Sequence, residues 1–289
     1  MSALRSTSSA AVGLVALGLA CQEIGAAIAV RLFPHTGPLG IVMLRLVFSA
    51  LILLAIARPS LRGRTRAQWA AVVRLGLALA VMNGMFYLAL ERLALGVTVT
   101  IEVLGPLALS ILVAGTRVAW LWAGLALAGV VALGGGGWDR LDPVGVIFAL
   151  GAAVFWAAYI RCQAAVGRAF PQLEGLALAM AIGALVSLPF GVAAAGPALI
   201  RIDLLALGAG VAILSSTIPY ALELIALRRM SEAAFGILMS LSPATAALAG
   251  WLLLGQGLTW LEAVGLALVV CASAGAVWRA RGRPAEPLA

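Results

Sequence analysis

Residues 95–137 read LGVTVTIEVLGPLALSILVAGTRVAWLWAGLALAGVVALGGGG, and their only charged residues are Glu102 and Arg117. A helix that crosses a bilayer needs about 20 mostly apolar residues. This stretch is long enough to cross twice if the chain reverses around Thr116-Arg117. Spans of 95–115 and 118–137 are expected there, and the same pattern recurs on both sides. Upstream it predicts 10–31, 38–57 and 69–90; downstream it predicts 143–163, 173–194, 203–225, 233–254 and 260–279. The breaks carry turn residues: Arg58-Pro59-Ser60, Trp138-Asp139-Arg140 and Gly196-Pro197. Ten spans of about 20 residues leave only short connections in a chain of 289 residues.

Composition agrees. Apolar residues are 64% of the chain, charged residues 10%, and mean hydropathy is +1.12. Soluble proteins average about 45–50% apolar and about 25% charged. A disordered chain, a coiled coil and a water-soluble enzyme are excluded, and no polar segment is long enough to build an appended domain. The expected fold is an all-α polytopic membrane protein.

Missing residue types narrow the chemistry. All 19 basic residues are arginine. Without lysine there is no Walker A loop for a nucleotide and no Schiff base. His35, in an expected loop beside Pro34 and Pro38, is the single histidine, and Cys21, Cys162 and Cys271 have no metal-ligand spacing. No GxSxG or HExxH motif occurs. No cofactor, metal or catalytic residue is expected. The net charge of +8 sits on arginines in short loops, which is a pattern of membrane orientation and not of nucleic-acid binding.

The N-terminus and alternate loops hold Arg5, Arg58, Arg62, Arg64, Arg66, Arg74, Arg117, Arg161, Arg168, Arg228, Arg229, Arg279, Arg281 and Arg283. The other loops hold Arg31, Arg92, Arg140 and Arg201. Arginines mark the cytoplasmic side, so both termini are expected there, in the cytoplasmic membrane. Arg5, an apolar run and Ala27-Ile28-Ala29 resemble a signal peptide. Gln22 and Glu23 interrupt that run, and the segment is read as a span.

The halves resemble each other. Ala89-Leu90-Glu91-Arg92-Leu93 matches Ala226-Leu227-Arg228-Arg229-Met230 at an offset of 137, and Pro106 and Pro243 keep that offset. Ala16-Leu17-Gly18 matches Ala149-Leu150-Gly151 at 133. Five spans per half is an odd number, so the second half enters the membrane from the opposite side. Two inverted repeats are expected, 10–138 and 142–280, around a central cavity.

Four ionisable residues lie inside spans: Glu23, Arg45, Glu102 and Glu223. Each costs about 2.5–3.5 kcal/mol in lipid on the lenient insertion scale, so they are expected to face the interior. Arg45 is expected to pair with Glu102. The remaining carboxylates must meet water, a cationic cargo or a proton. Thr98, Glu102, Gly105 and Pro106 share one helix face, and Pro106 cannot donate to the carbonyl of residue 102. Ser216, Pro219, Tyr220 and Glu223 share another. The bland alternative for each set is a structural kink. Asn83, Phe86 and Tyr87 share a face of the third span, and Phe155, Trp156 and Tyr159 one of the sixth. Aromatics at this spacing pack more often than they bind, and Tyr159 with Arg161 also reads as an interface marker.

The stretches Met82-Asn83-Gly84-Met85-Phe86-Tyr87-Leu88, Ile101-Glu102-Val103-Leu104-Gly105-Pro106-Leu107 and Leu214-Ser215-Ser216-Thr217-Ile218-Pro219-Tyr220-Ala221-Leu222-Glu223 resemble the EamA-type branch of the drug/metabolite transporter superfamily. Within it the chain is most similar to the threonine/homoserine exporters; Met43-Leu44-Arg45-Leu46 and Trp156-Ala157-Ala158-Tyr159 also fit. The resemblance covers about residues 12–280. It implies ten helices in two inverted halves, a central cavity and proton-linked export of small metabolites, including amino acids. The expected cargo-binding residues are Gln22, Glu23, Arg45, Asn83, Tyr87, Glu102, Trp156, Tyr159 and Tyr220. Glu223 and Glu102 are the expected proton carriers, and Pro106, Pro219 and Pro243 the expected helix kinks. Expected partners are a small-molecule substrate, protons and the lipid bilayer; a homodimer is left open. Departures from the family pattern are Glu23 in place of glycine, Gly84 in place of an aromatic, and Gln256 in place of glutamate. Competing readings are an exporter of a cationic drug-like or nucleotide-linked metabolite, and a non-transporting membrane enzyme or scaffold.

Overall fold

A computed structural model describes residues 9–114, 117–133, 141–229 and 238–280. Thr116, the glycine run 134–137, Trp138-Asp139-Arg140, residues 230–237 with the start of the ninth predicted span, and Arg5, Arg281 and Arg283 lie outside the described residues. Among the described residues every regular element is helical.

The first helical run, α1 (Ser9–Ala57), is far longer than one crossing needs. It breaks at Gly37, where φ is 65° and ψ is 164°. A side chain at that φ is strained, so glycine suits the position. A Cβ on Gly25 would lie 2.7 Å from the Cβ of Ser215, and Arg45 donates to the Ser215 carbonyl. Residues 25 and 45 would stand about 30 Å apart on a straight helix, so α1 must fold back at Gly37. The contact order agrees. Gly18 packs on Pro219 and Leu222, and Gly25 on Ser215, so the first arm runs against the chain direction of 215–222; Leu44 packs on Gly208, and Ser49 reaches Ala212, so the second arm runs with it. His35, expected in a loop, is instead in the last helical turn before Gly37, because the single glycine makes the whole reversal.

Then follow α2 (Arg66–Leu90), α3 (Leu95–Glu102), α4 (Leu104–Ala114), α5 (Arg117–Leu133), α6 (Pro143–Ala169) and α7 (Glu174–Ala195). Next come α8 (Ile202–Ala212), α9 (Ile218–Arg229), α10 (Ser242–Leu254) and α11 (Trp260–Ala280). Thr65 and Gln68 form a capping box at the start of α2. Asp142 caps α6 and accepts from the N–H groups of Val144 and Gly145. These bonds, the Gly145 N–H above all, with the Arg92 guanidinium, hold its carboxyl below the usual carboxylate range.

Three predicted spans are interrupted within the described residues: the fourth, the eighth and the ninth, the last by a turn at 240–241 ahead of α10. The fourth predicted span is split into α3 and α4 at Val103. The split precedes Pro106, which leaves the carbonyl of residue 102 without its helical donor. There α4 closes on α6: a Cβ on Gly105 would lie 1.8 Å from the Ala153 carbonyl oxygen, so only glycine fits. Between α8 and α9, residues Ile213–Thr217 form a wide turn with five-residue hydrogen bonding, a feature common at functional sites.

Five helical runs are long and apolar enough to cross a bilayer: Val12–Ala57, Arg66–Leu90, Pro143–Ala169, Glu174–Ile200 and Ile202–Ala226. Shorter apolar helices are Leu95–Leu109, Trp120–Ala132, Ser242–Leu254 and Trp260–Gly275. Large apolar side chains such as Leu112, Trp120, Leu185 and Trp251 face outward, as a lipid solvent allows. Contacts sort the loops into two ends. At one end Arg64 pairs with Glu174 and lies over Phe170, and Gln68 donates to the Ala169 carbonyl. At the other, Arg92 pairs with Asp142 and Arg31 donates to the Leu253 carbonyl.

Candidate functional site

All four interior ionisable residues are buried: Glu23 is 2% exposed, Arg45 3%, Glu102 8% and Glu223 6%. They surround two adjoining voids at the centre of the bundle. One, of about 20 Å³, is lined by Gln22, Met82, Glu102, Trp156, Tyr159, Tyr220, Glu223 and Met239. The other, of about 30 Å³, is lined by Gln22, Glu23, Ala26, Arg45, Met82, Asn83, Phe86, Glu102, Ser215 and Tyr220. Each has room for about one water, so this is a closed arrangement that must widen to admit a solute.

Arg45 does not pair with Glu102. Its Nε donates to Ser216 Oγ at 3.0 Å and an Nη to the Ser215 carbonyl at 2.7 Å. The reason is Pro219. It has no N–H to offer the carbonyl four residues back, which is that of Ser215. The guanidinium, on the second arm of α1, takes the freed acceptor. Among the described residues the ion pairs are Arg64–Glu174, Arg92–Asp142 and Arg201–Asp203, all at helix ends.

Tyr87 is fully buried with its ring 4.7 Å beneath the Arg45 guanidinium. It lies behind Arg45 and is absent from the walls of the voids. Its stacked ring and the two serine acceptors together fix the guanidinium plane. Ser49 continues this polar seam, accepting from Thr217 at 3.0 Å and donating to the Ala212 carbonyl at 3.2 Å.

On the far wall Tyr159 donates to Glu223 Oε2 at 3.2 Å, and its ring lies 5.6 Å from that of Tyr220. Tyr159 is thus a wall residue and not an interface marker. Asn83 donates to the Leu79 carbonyl at 2.7 Å and to Tyr220 Oη at 3.4 Å. Glu23 Oε1 accepts from Ser242 Oγ at 3.2 Å; Glu23 Oε2 and Gln22 Oε1 are buried without a hydrogen-bond partner.

The three prolines take similar places, each just past an interruption: Pro106 is the third residue of α4, Pro219 the second of α9, and Pro243 the second of α10, after a turn at 240–241 that follows helical residues 238–239. Gln256, away from the voids, accepts from the Leu95 N–H at 3.0 Å and caps α3.

Of the nine expected cargo-binding residues, the voids gather Gln22, Glu23, Arg45, Asn83, Glu102, Trp156, Tyr159 and Tyr220, and leave out Tyr87. Glu223 joins them. Sequence reasoning missed Met82, Met239 and Ser215. Nothing marked the methionines among other apolar residues. Ser215 was legible: the proline argument applied to Pro106 holds equally for Pro219.

The walls carry one guanidinium, three carboxylates and several aromatic rings in a site shielded from lipid. That set can hold a small solute with both an acidic and a basic group.

Comparison with known proteins agrees. The profile of the EamA-like transporter family matches residues 143–278. Proteins of Salmonella typhimurium (strain SL1344) and Escherichia coli (strain K12), both named threonine/homoserine exporter RhtA, are each 36% identical over 270 residues, covering 93% of this chain and 91% of theirs. A protein crystal structure, 19% identical, shares the fold with a TM-score of 0.65 over 94% of this chain and 99% of that one.

Proposed function

Because the chain belongs to the EamA-like transporter family of multi-pass membrane proteins, we propose that it is a secondary exporter of amino acids such as threonine or homoserine across the cytoplasmic membrane. The observation that carries this reading is the wall of the voids. An amino acid has an ammonium and a carboxylate, and the wall offers Glu102 and Arg45 to them. The names of the relatives support the same cargo.

Ten crossings in two inverted halves, 10–138 and 142–280, are the architecture of the proposal. Several observations support it. Asn83 and Tyr220, which are hydrogen-bonded, stand at the repeat offset of 137. Two-fold symmetry brings such equivalent positions together. Helix pairings recur in matched form: α2 packs on α6 as α1 packs on α9, and α4 packs on α6 as α10 packs on α1. The family profile begins where the second half would begin. The proposal has both termini on the cytoplasmic side, and the arginines support it: Arg58, Arg62, Arg64 and Arg168 lie near the end marked by the Arg64–Glu174 pair, against Arg31, Arg92 and Arg201 at the other.

With no lysine there is no P-loop in this chain, so the drive is a gradient. The proton is assigned to Glu223. It lies one turn beyond Pro219-Tyr220 and accepts from Tyr159, while Glu102 is left to the cargo ammonium. A carboxylate that alternates between dry and wet surroundings can carry a proton. The test is uptake of a labelled amino-acid panel into proteoliposomes, with and without a pH gradient. Saturable movement of threonine or homoserine, accelerated by the gradient, is expected. Movement of no amino acid at all would refute the proposal.

A further inference from the structure

We infer that Glu23, with Gln22 beside it, forms a second cargo subsite for a side-chain ammonium, so that a diamino acid is preferred over its hydroxyl counterpart. The inference rests on the amino-acid exporter reading and refines it. It begins from hydrogen-bond accounting in the wall.

The hydrogen bonds formed in that wall do not reach every buried acceptor. The Asn83 amide serves the Leu79 carbonyl and Tyr220. Arg45 serves Ser215 and Ser216. Ser242 serves Glu23 Oε1, and Tyr159 serves Glu223. Two fully buried acceptors have no partner, Glu23 Oε2 and Gln22 Oε1, and both lie on residues that line the void containing Arg45. Gln22 can turn its amide to present the nitrogen. An ionised Glu23 cannot, since a carboxylate only accepts. A buried acceptor without a donor is costly, and more so when charged. Glu23 is 2% exposed, so bulk water does not relieve it.

An amino-acid backbone does not relieve it either. Its ammonium and carboxylate are matched by Glu102 and Arg45, with Glu223 already held by Tyr159. Glu23 is left over, and its charge has no counterpart in a zwitterion. A side-chain hydroxyl supplies one neutral donor. A side-chain ammonium supplies three donors and the missing positive charge, and charge-assisted bonds are roughly twice as strong as neutral ones. The cargo class is therefore the α-amino acid with a short basic side chain.

Homoserine and L-2,4-diaminobutyrate differ only in the terminal group, hydroxyl against ammonium, on the same two-carbon arm. In proteoliposomes, half-saturation concentrations for the two labelled compounds are measured with the unaltered chain and with Glu23→Gln. The unaltered chain is expected to favour diaminobutyrate by about tenfold, and Glu23→Gln to abolish or reverse that ratio. Equal or better transport of homoserine by the unaltered chain overturns the inference and leaves the exporter reading standing. Transport of neither compound, nor of threonine, overturns both. An unchanged ratio in Glu23→Gln also overturns it. Should that variant fail to fold, the ratio in the unaltered chain decides.

Discussion

Arg45 illustrates how a single missing N–H directs a charge. Pro219 frees the Ser215 carbonyl, and the guanidinium fills it. One consequence is testable in stability. Arg45→Ala and Ser216→Ala, which share a hydrogen bond, are expected to couple more strongly than Arg45→Ala and Glu102→Ala, which do not. Chemical denaturation of the four single and double variants in detergent checks this, and strong coupling to Glu102 would refute the assignment. Glu223 carries the second residue-scale prediction. Glu223→Gln keeps the shape and removes the titration. It is expected to abolish pH-driven accumulation while cargo-for-cargo exchange persists. Normal pH-driven transport by the well-folded variant would move the proton to Glu102 or Glu23.

At the scale of elements, two of the interruptions matter most. The α3–α4 break at Val103 and the wide turn Ile213–Thr217 both stand just before a proline. Each places a carboxylate-bearing helix at the voids. The break at Val103 is held by the near contact of Gly105 with the Ala153 backbone. Gly105→Ala is expected to push α4 from α6 and destabilise the protein by about 1–3 kcal/mol, the usual cost of overpacking. Thermal unfolding followed by fluorescence would show it; Gly124→Ala, with open space around its Cβ, is the control and should be near neutral. The Asp142 cap has a pH signature of its own. Its carboxyl is held down in the folded chain. Its contribution is complete above the unfolded value of about 3.9 and fades as pH falls through the lower folded value.

For the whole molecule, the two clusters of loop contacts define opposite ends of the bundle. An exporter must open first one end and then the other. The proposed orientation predicts that Arg201→Cys is labelled by an impermeant thiol reagent in intact cells. Arg64→Cys and Arg168→Cys should be labelled only after permeabilisation. External labelling of Arg64→Cys would invert the assignment of both ends.

Apolar length, the absence of lysine and the distribution of arginines depend on composition along the chain, so the sequence by itself determined a helical membrane protein without a nucleotide site of its own. It also determined which polar groups must face inward, since a charge in lipid is costly wherever it points. It predicted the break near Pro106, because that is local. Tertiary structure alone decided which inward groups meet. Arg45 and Ser215 stand 170 residues apart, and Glu23 and Ser242 219 apart. Helix periodicity tells which face a residue occupies, but not the rotation and height at which two helices pack. That is why Arg45 was matched to the wrong partner, Tyr87 fell behind the wall, and Met82 and Met239 went unnoticed. Packing sets those distances, and with them which acceptors are left for a cargo to satisfy.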